Sequence, residues 1–259
     1  MKIIYSIVLV CVFVSCKDRS QEKPQDKKFS IPTILLPDLK TDSIKKHQLN
    51  FLTEIWPPFI SKFKFADTIL IKEKRDTSTL RDFVGEIYDV KKNGPIGNDG
   101  FQIITNYNKP VLYKEYVTNI ASYFYPVFVV NETKSTKMFT GKDSYVFAIQ
   151  EAKDSTGSWY PIESKGFDFC GNGYWGLKIH PNEFAVFLLP VYDGEFNTEL
   201  RVRLKIGTSV YVSQPFMGNI NYNQFYTHPK WPSSEMPKGP QAATIFHRFY
   251  GAIPKEFWD

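Results

Sequence analysis

The sequence predicts a mainly β protein: an antiparallel β-sandwich with an N-terminal α/β extension and a C-terminal wrap rich in proline and aromatic residues. Two observations carry this. Short runs of alternating apolar and polar residues recur between turn-forming stretches over residues 101–220, the pattern of half-buried strands. In the clearest run Leu200, Val202, Leu204 and Ile206 share one face, and Arg201, Arg203 and Lys205 share the other. The chain of 259 residues also holds 22 Phe, 15 Tyr and 5 Trp, enough aromatic volume to fill a core between sheets.

The elements follow in order. Lys2 precedes an apolar run, Ile3 to Val14, then Ser15 and Cys16. The run has the length of a signal-peptide core and falls short of the roughly 20 apolar residues of a spanning helix. This arrangement resembles a bacterial lipoprotein signal of the Bacteroidota type, although Phe13 stands where the commonest box has Leu. The resemblance implies a signal peptide over residues 1–15, cleavage between Ser15 and Cys16, and lipid on Cys16. Residues 16–29 are charged and nearly free of apolar side chains, so they read as a disordered tether. Lys17-Asp18 resembles the charged signals that send such lipoproteins to the cell surface. Cys11 leaves with the signal and Cys16 takes lipid, so Cys170 is left without a disulfide partner.

Residues 30–100 form the predicted extension. Ile44, Phe51, Leu52 and Ile55 approximate a helical stripe that Asp42 caps and Pro57-Pro58 ends. Phe63, Phe65, Ile69 and Ile71 then alternate with lysines, with a break near Asp67. Residues 101–220 form the sandwich. Strands are expected at 101–107, 123–130, 144–150, 159–163, 183–192 and 200–206, and a turn at Gly207 leads into 210–213. Residues 144–150 and 159–163 flank a hairpin loop with Gly157 available for positive φ. The closing run "YDGEFNTELRVRLKIGTSVYVSQPF" resembles the last strands of immunoglobulin-like or fibronectin-type modules in an uncharacterised family of Bacteroidota lipoproteins. That resemblance implies a disulfide-free immunoglobulin-like sandwich and no activity. Residues 214–259 contain six prolines, so the tail reads as a segment that cannot be regular sheet. It wraps the sandwich over residues 221–259, with a short helix at 242–250, where Ile245/Phe249 and Phe246/Tyr250 fall at i,i+4.

Several motifs bear on chemistry. "DFCGNGYWG" at 168–176 has dinucleotide glycine spacing, but strand-like Leu177-Lys178-Ile179 follows where that site needs a helix. Cys170 reads as a small core residue, with Gly171-Asn172-Gly173 as a turn. Trp159, Tyr160, Tyr174 and Trp175 lie near predicted strand ends and form the candidate aromatic binding patch. Asp42-Ser43-Ile44, Asp67-Thr68-Ile69 and Asp154-Ser155-Thr156 resemble the O-glycosylation pattern of exported Bacteroidota proteins, which makes Ser43, Thr68 and Ser155 candidate acceptors. No catalytic, metal or cofactor motif stands out. The net charge of +5 is scattered, which argues against nucleic acid. The sequence thus predicts a lipid-anchored protein of the outer membrane or cell surface. Its expected role is non-catalytic, binding an envelope protein or glycan or giving structural support. The alternative is an extracytoplasmic hydrolase with a site assembled from scattered residues.

Overall fold

The computed structural model describes residues 28–36, 44–71, 83–84, 97, 99–114, 120–166, 172–227 and 242–257. Its centre is an antiparallel pair, β8 (Ala121–Asn131) and β15 (Glu183–Pro190), in register from Glu183↔Asn131 to Pro190↔Phe124. β3 (Phe59–Lys64) extends this sheet beyond β15. β6 (Gln102–Thr105) and β7 (Val111–Lys114) lie end to end along the far side of β8.

Both faces of the central pair are buried. Tyr125, Val127, Val129, Ala185, Phe187 and Leu189 point into the main core. Phe128, Val130, Phe184 and Val186 point the other way, against Ile69, Phe29, Phe63 and Phe65. A strand buried on both faces needs apolar side chains at consecutive positions. That is why "YFYPVFVV" and "EFAVFLLP" read as unbroken runs. Pro126 sits inside β8, where a proline normally costs a ladder bond. Here its carbonyl accepts from the Asn106 N–H at 3.0 Å, just past the end of β6 and before β7 begins. The side of the strand that lacks an N–H therefore faces the gap between two partner strands.

A second five-stranded sheet covers the inner face. It contains β11 (Ala148–Lys153), β12 (Trp159–Pro161), β16 (Phe196–Ile206), β17 (Ser209–Val212) and β18 (Phe216–Ile220). Leu200, Val202, Leu204 and Ile206 are buried in the shared core, as their alternation predicts. A third sheet joins β10 (Tyr145–Val146), β9 (Lys137–Lys142), β14 (Tyr174–Ile179) and β5 (Phe83–Val84), and it adds Phe139, Leu177 and Ile179. Two parallel pairs complete the set: β1 (Thr33–Leu35) with β4 (Thr68–Leu70), and β2 (Thr53–Ile55) with β13 (Glu163–Lys165). The helix α1 (Ala242–Phe249) packs on β13, and Phe249 and Tyr250 enter the core. The protein is mainly β, built of several open sheets. Among the described residues no helix is long and apolar enough to cross a membrane.

Three expectations are corrected. Residues 44–55 form no helix, so the described part of the extension is not α/β. They run as an extended strap whose backbone bonds go elsewhere: Lys45 N–H to the Ala121 carbonyl, Leu52 N–H to the Tyr226 carbonyl, and β2 to β13. Tertiary pairing overrides a weak local stripe. The segment is also no separate extension, because β3 is an edge of the central sheet. Finally, residues 214–259 include a strand. β18 fits between Pro215 and the later prolines and pairs with β16 from Phe196↔Ile220 to Leu200↔Phe216.

The two faces of the second sheet set a mutational contrast. Val202 is 0 % exposed and Val212, on β17, is 44 % exposed. Val202→Asp buries an unpaired carboxylate and is expected to cost several kcal/mol, against under about 1 kcal/mol for Val212→Asp. Thermal unfolding of the two variants checks the assignment, with a large drop in Tm expected only for Val202→Asp.

Candidate functional site

The four candidate aromatics do not form one patch. Trp159 and Tyr160 lie on β12, and Tyr174 and Trp175 lie on β14 of another sheet. Trp175 is 8 % exposed, packs on Phe59 and Phe139, and donates its indole N–H to the Asp143 carbonyl at 3.0 Å. It lies so close to Gly141 that a Cβ there would meet the ring at 2.2 Å. Trp175 is therefore a core residue, and Gly141 exists to admit it. Tyr174 is half-buried beside Phe147 and Lys142. Gly173 has φ +86° and turns directly into β14, so strand follows where a dinucleotide site needs a helix. Ser15, Cys16, Ser43, Cys170 and Gly171 lie outside the described residues. Thr68 and Ser155 are exposed.

Trp159 belongs to a different surface, the outer face of the second sheet. Cross-strand register places its members. Trp159 lies opposite Lys153, Glu151 opposite Arg201, and Met217 opposite Glu199. Val212 and Val210 lie opposite Arg203 and Lys205. The Arg201 guanidinium stands 4.2 Å from the Trp159 ring centroid and the Lys153 ammonium 5.3 Å from it. Glu151 bridges Arg201 at 2.7 Å and Arg203 at 3.1 Å, and Lys153 pairs with Glu199. Val210, Val212 and Met217 are exposed along the edge. At the other end α1 covers the face, with Phe246 4.5 Å below the Lys205 ammonium. The open part is thus a half-buried indole and an apolar edge set in a lattice of paired charges. Read along one strand, Arg201, Arg203 and Lys205 look merely solvated. The partner of Arg201 and Arg203, Glu151, lies about fifty residues away on β11, and Lys205 stands over Phe246 of α1.

The chain matches no family model, no curated protein and no solved structure. Among the described residues no group of three or more His, Cys, Asp or Glu is placed to hold a metal ion.

The hairpin beside Trp159 is organised by Asp154. Its carboxylate accepts from the Thr156 N–H at 2.9 Å, the Thr156 hydroxyl at 2.7 Å, the Ser158 N–H at 3.0 Å and the Lys255 ammonium at 2.5 Å. Burial works to raise this carboxyl, but the bonds from Lys255, Thr156 and Ser158 outweigh it and hold it at about 2. Asp154 thereby ties the β11–β12 turn to the C-terminal segment. Gly157 closes the turn at φ +87°.

The stabilisation from ionised Asp154 is fully present above its ordinary value near 3.8 and is lost as pH falls through about 2. Asp154→Asn removes the charge pairing with Lys255 and is expected to cost about 2 kcal/mol at neutral pH. Denaturant unfolding across the acid range should show a shallower loss of stability between about pH 4 and 2 in the variant than in the parent.

Proposed function

We propose that the protein is an envelope lipoprotein, held at the outer membrane or cell surface by lipid on Cys16, with a non-catalytic binding role. The observation that carries this reading is the order of the first thirty residues together with where Phe29 lies. An apolar run ends at Ser15-Cys16, and a polar stretch follows. Phe29 then packs its ring 5.4 Å from Phe65, 5.7 Å from Phe128 and 5.2 Å from Phe184. The body is therefore held at Phe29, the last residue of the expected tether 16–29. Residues 17–28 give it a reach of at most about 43 Å from the anchor.

The body is read as an immunoglobulin-like sandwich. Two five-stranded antiparallel sheets with inner faces in one core support that assignment. The third sheet and the two parallel pairs are additions to it. The outer face of the second sheet is the binding surface in this reading. An indole braced by Arg201 and an exposed edge of Val210, Val212 and Met217 suit an envelope protein or the apolar face of a glycan. Thr68 and Ser155 are the accessible hydroxyls for O-glycosylation.

Cys16→Ala is the test of the anchor. In cells given labelled fatty acid, the parent is expected to take up label and to sediment with the membrane. The variant is expected to take up none and to keep its signal peptide. Equal labelling and fractionation of the two would contradict the proposal.

A further inference from the structure

Glu163 opens β13 and is 0 % exposed. Its Oε1 accepts from the Gln150 side-chain amide at 2.7 Å and from the Tyr192 hydroxyl at 2.5 Å, and its Oε2 accepts from the Gln150 backbone N–H at 2.5 Å. Three donors and no acceptor suit a carboxylate. Yet among the described residues no cation reaches it. Nearby cations are committed elsewhere: Arg203 to Glu151 and the Tyr250 carbonyl, Arg248 to Glu54, and Lys165 over the Phe147 ring. A buried charge without a cation favours the neutral acid. The site is therefore balanced between two protonation states by opposed requirements. Burial pushes the Glu163 carboxyl up to about 7, against the pull of the Tyr192 and Gln150 hydrogen bonds.

The cluster joins the parts of the fold that were added around the two large sheets. β13 carries β2 in parallel from Glu163↔Thr53 to Lys165↔Ile55, and α1 packs on β13. Gln150 also donates to the Pro190 carbonyl at 2.9 Å, fixing the exit of β15. Tyr192 bridges His47, and the Asp193 N–H donates to the His47 carbonyl at 3.2 Å. The strap 44–55 is thus held at both ends by residues that meet at one carboxyl.

We propose that the Glu163–Gln150–Tyr192 cluster is a proton-operated latch, closed over the strap 44–55 and α1 when Glu163 is neutral and opened locally when it is ionised. Below neutral pH the acid is neutral and its burial costs little. Above it, the carboxylate is relieved only by admitting water, and that requires β13 to part from β2 or α1. In the folded state the carboxyl holds its proton between 4.5 and about 7, where the open state has lost it, so latch stability is greatest in acid and falls as pH rises through that window.

Tyr192, Tyr250 and Asp193 do not reproduce this step. Tyr192 and Tyr250 are pushed well above the ordinary phenol value, chiefly by burial, and stay neutral. Asp193, paired with Lys46, is held below the ordinary carboxyl value and stays ionised. Glu54 is paired with Arg248. His47, its ring 6.2 Å from Tyr192, is the group that must be separated experimentally.

The test is hydrogen exchange of the full chain followed by mass spectrometry from about pH 5.5 to 8, corrected for intrinsic rates. Opening of peptides from 44–55, 159–165 and 242–252 is expected to rise at least about tenfold in the parent, to stay flat in Glu163→Gln, and to rise as in the parent in His47→Asn. A flat parent profile, or a step kept in Glu163→Gln, overturns the proposal. Should Glu163→Gln fail to fold, a ¹³C titration of the Glu163 carboxyl in the parent decides instead. An inflection near pH 7 supports the latch, and one below about pH 5 overturns it.

Discussion

The pairing of β8 with β15 is the constraint on which the rest of the structure depends. Both strands are apolar on both faces, so the pair cannot be left with one side in water. One cover is the main core, made with the second and third sheets. The other is assembled from Phe29, Ile34, Phe63, Phe65 and Ile69, which the chain delivers before either central strand is made. A slip of one residue would exchange the two faces and send Val127 and Phe187 to the wrong cover. The register is marked at one end by buried polar groups. Lys62 meets Glu183 at 2.6 Å, and the Asn131 amide donates to the Ile179 and Ser135 carbonyls at 2.9 Å. An ion pair this deep adds little net stability, but breaking it by misregister leaves a buried charge alone.

The strands were legible where a strand is wet on one side. Leu200–Ile206 announces its faces because solvent rewards Arg and Lys at every second position. The Gly157 hairpin was legible because its turn chemistry is local. Pairings made by short or atypical segments were not. β9 is buried at every residue yet contains Lys137, Thr140 and Lys142, so no alternation marks it. The strap 44–55 looked helical because four apolar residues approximate a helix period, whereas its real partners lie on β8, β13 and near Tyr226. Prolines in the C-terminal tail concealed β18, a strand short enough to fit before they begin to crowd.

The polar chemistry was less visible still, for a related reason. Asp154 could be placed in a turn but not joined to Lys255, 101 residues on. Glu163 is an ordinary residue in sequence, and it becomes unusual only when Gln150 and Tyr192 close over it. In sequence Trp175 sits among glycines. The glycines beside it in space explain it better: Gly141 yields the room its indole occupies. In Trp159 the aromatic signal and the charge signal converge, since Arg201 stacks on the ring while Glu151 neutralises it.

The same architecture ties both flanks of the described residues to the centre. Phe29 packs into the outer cover, and α1 with Tyr250 closes the inner core beside the second sheet. If the doubly covered β8–β15 ladder is what holds these layers, its amides must be the last to exchange. Native-state hydrogen exchange under increasing denaturant measures this directly. The account predicts that amides of Val127–Val130 and Phe184–Phe187 exchange only through global unfolding, while those of β1, β4 and β17 exchange through smaller local openings. Exchange of the β8 and β15 amides at free energies at or below those of β17 would contradict it.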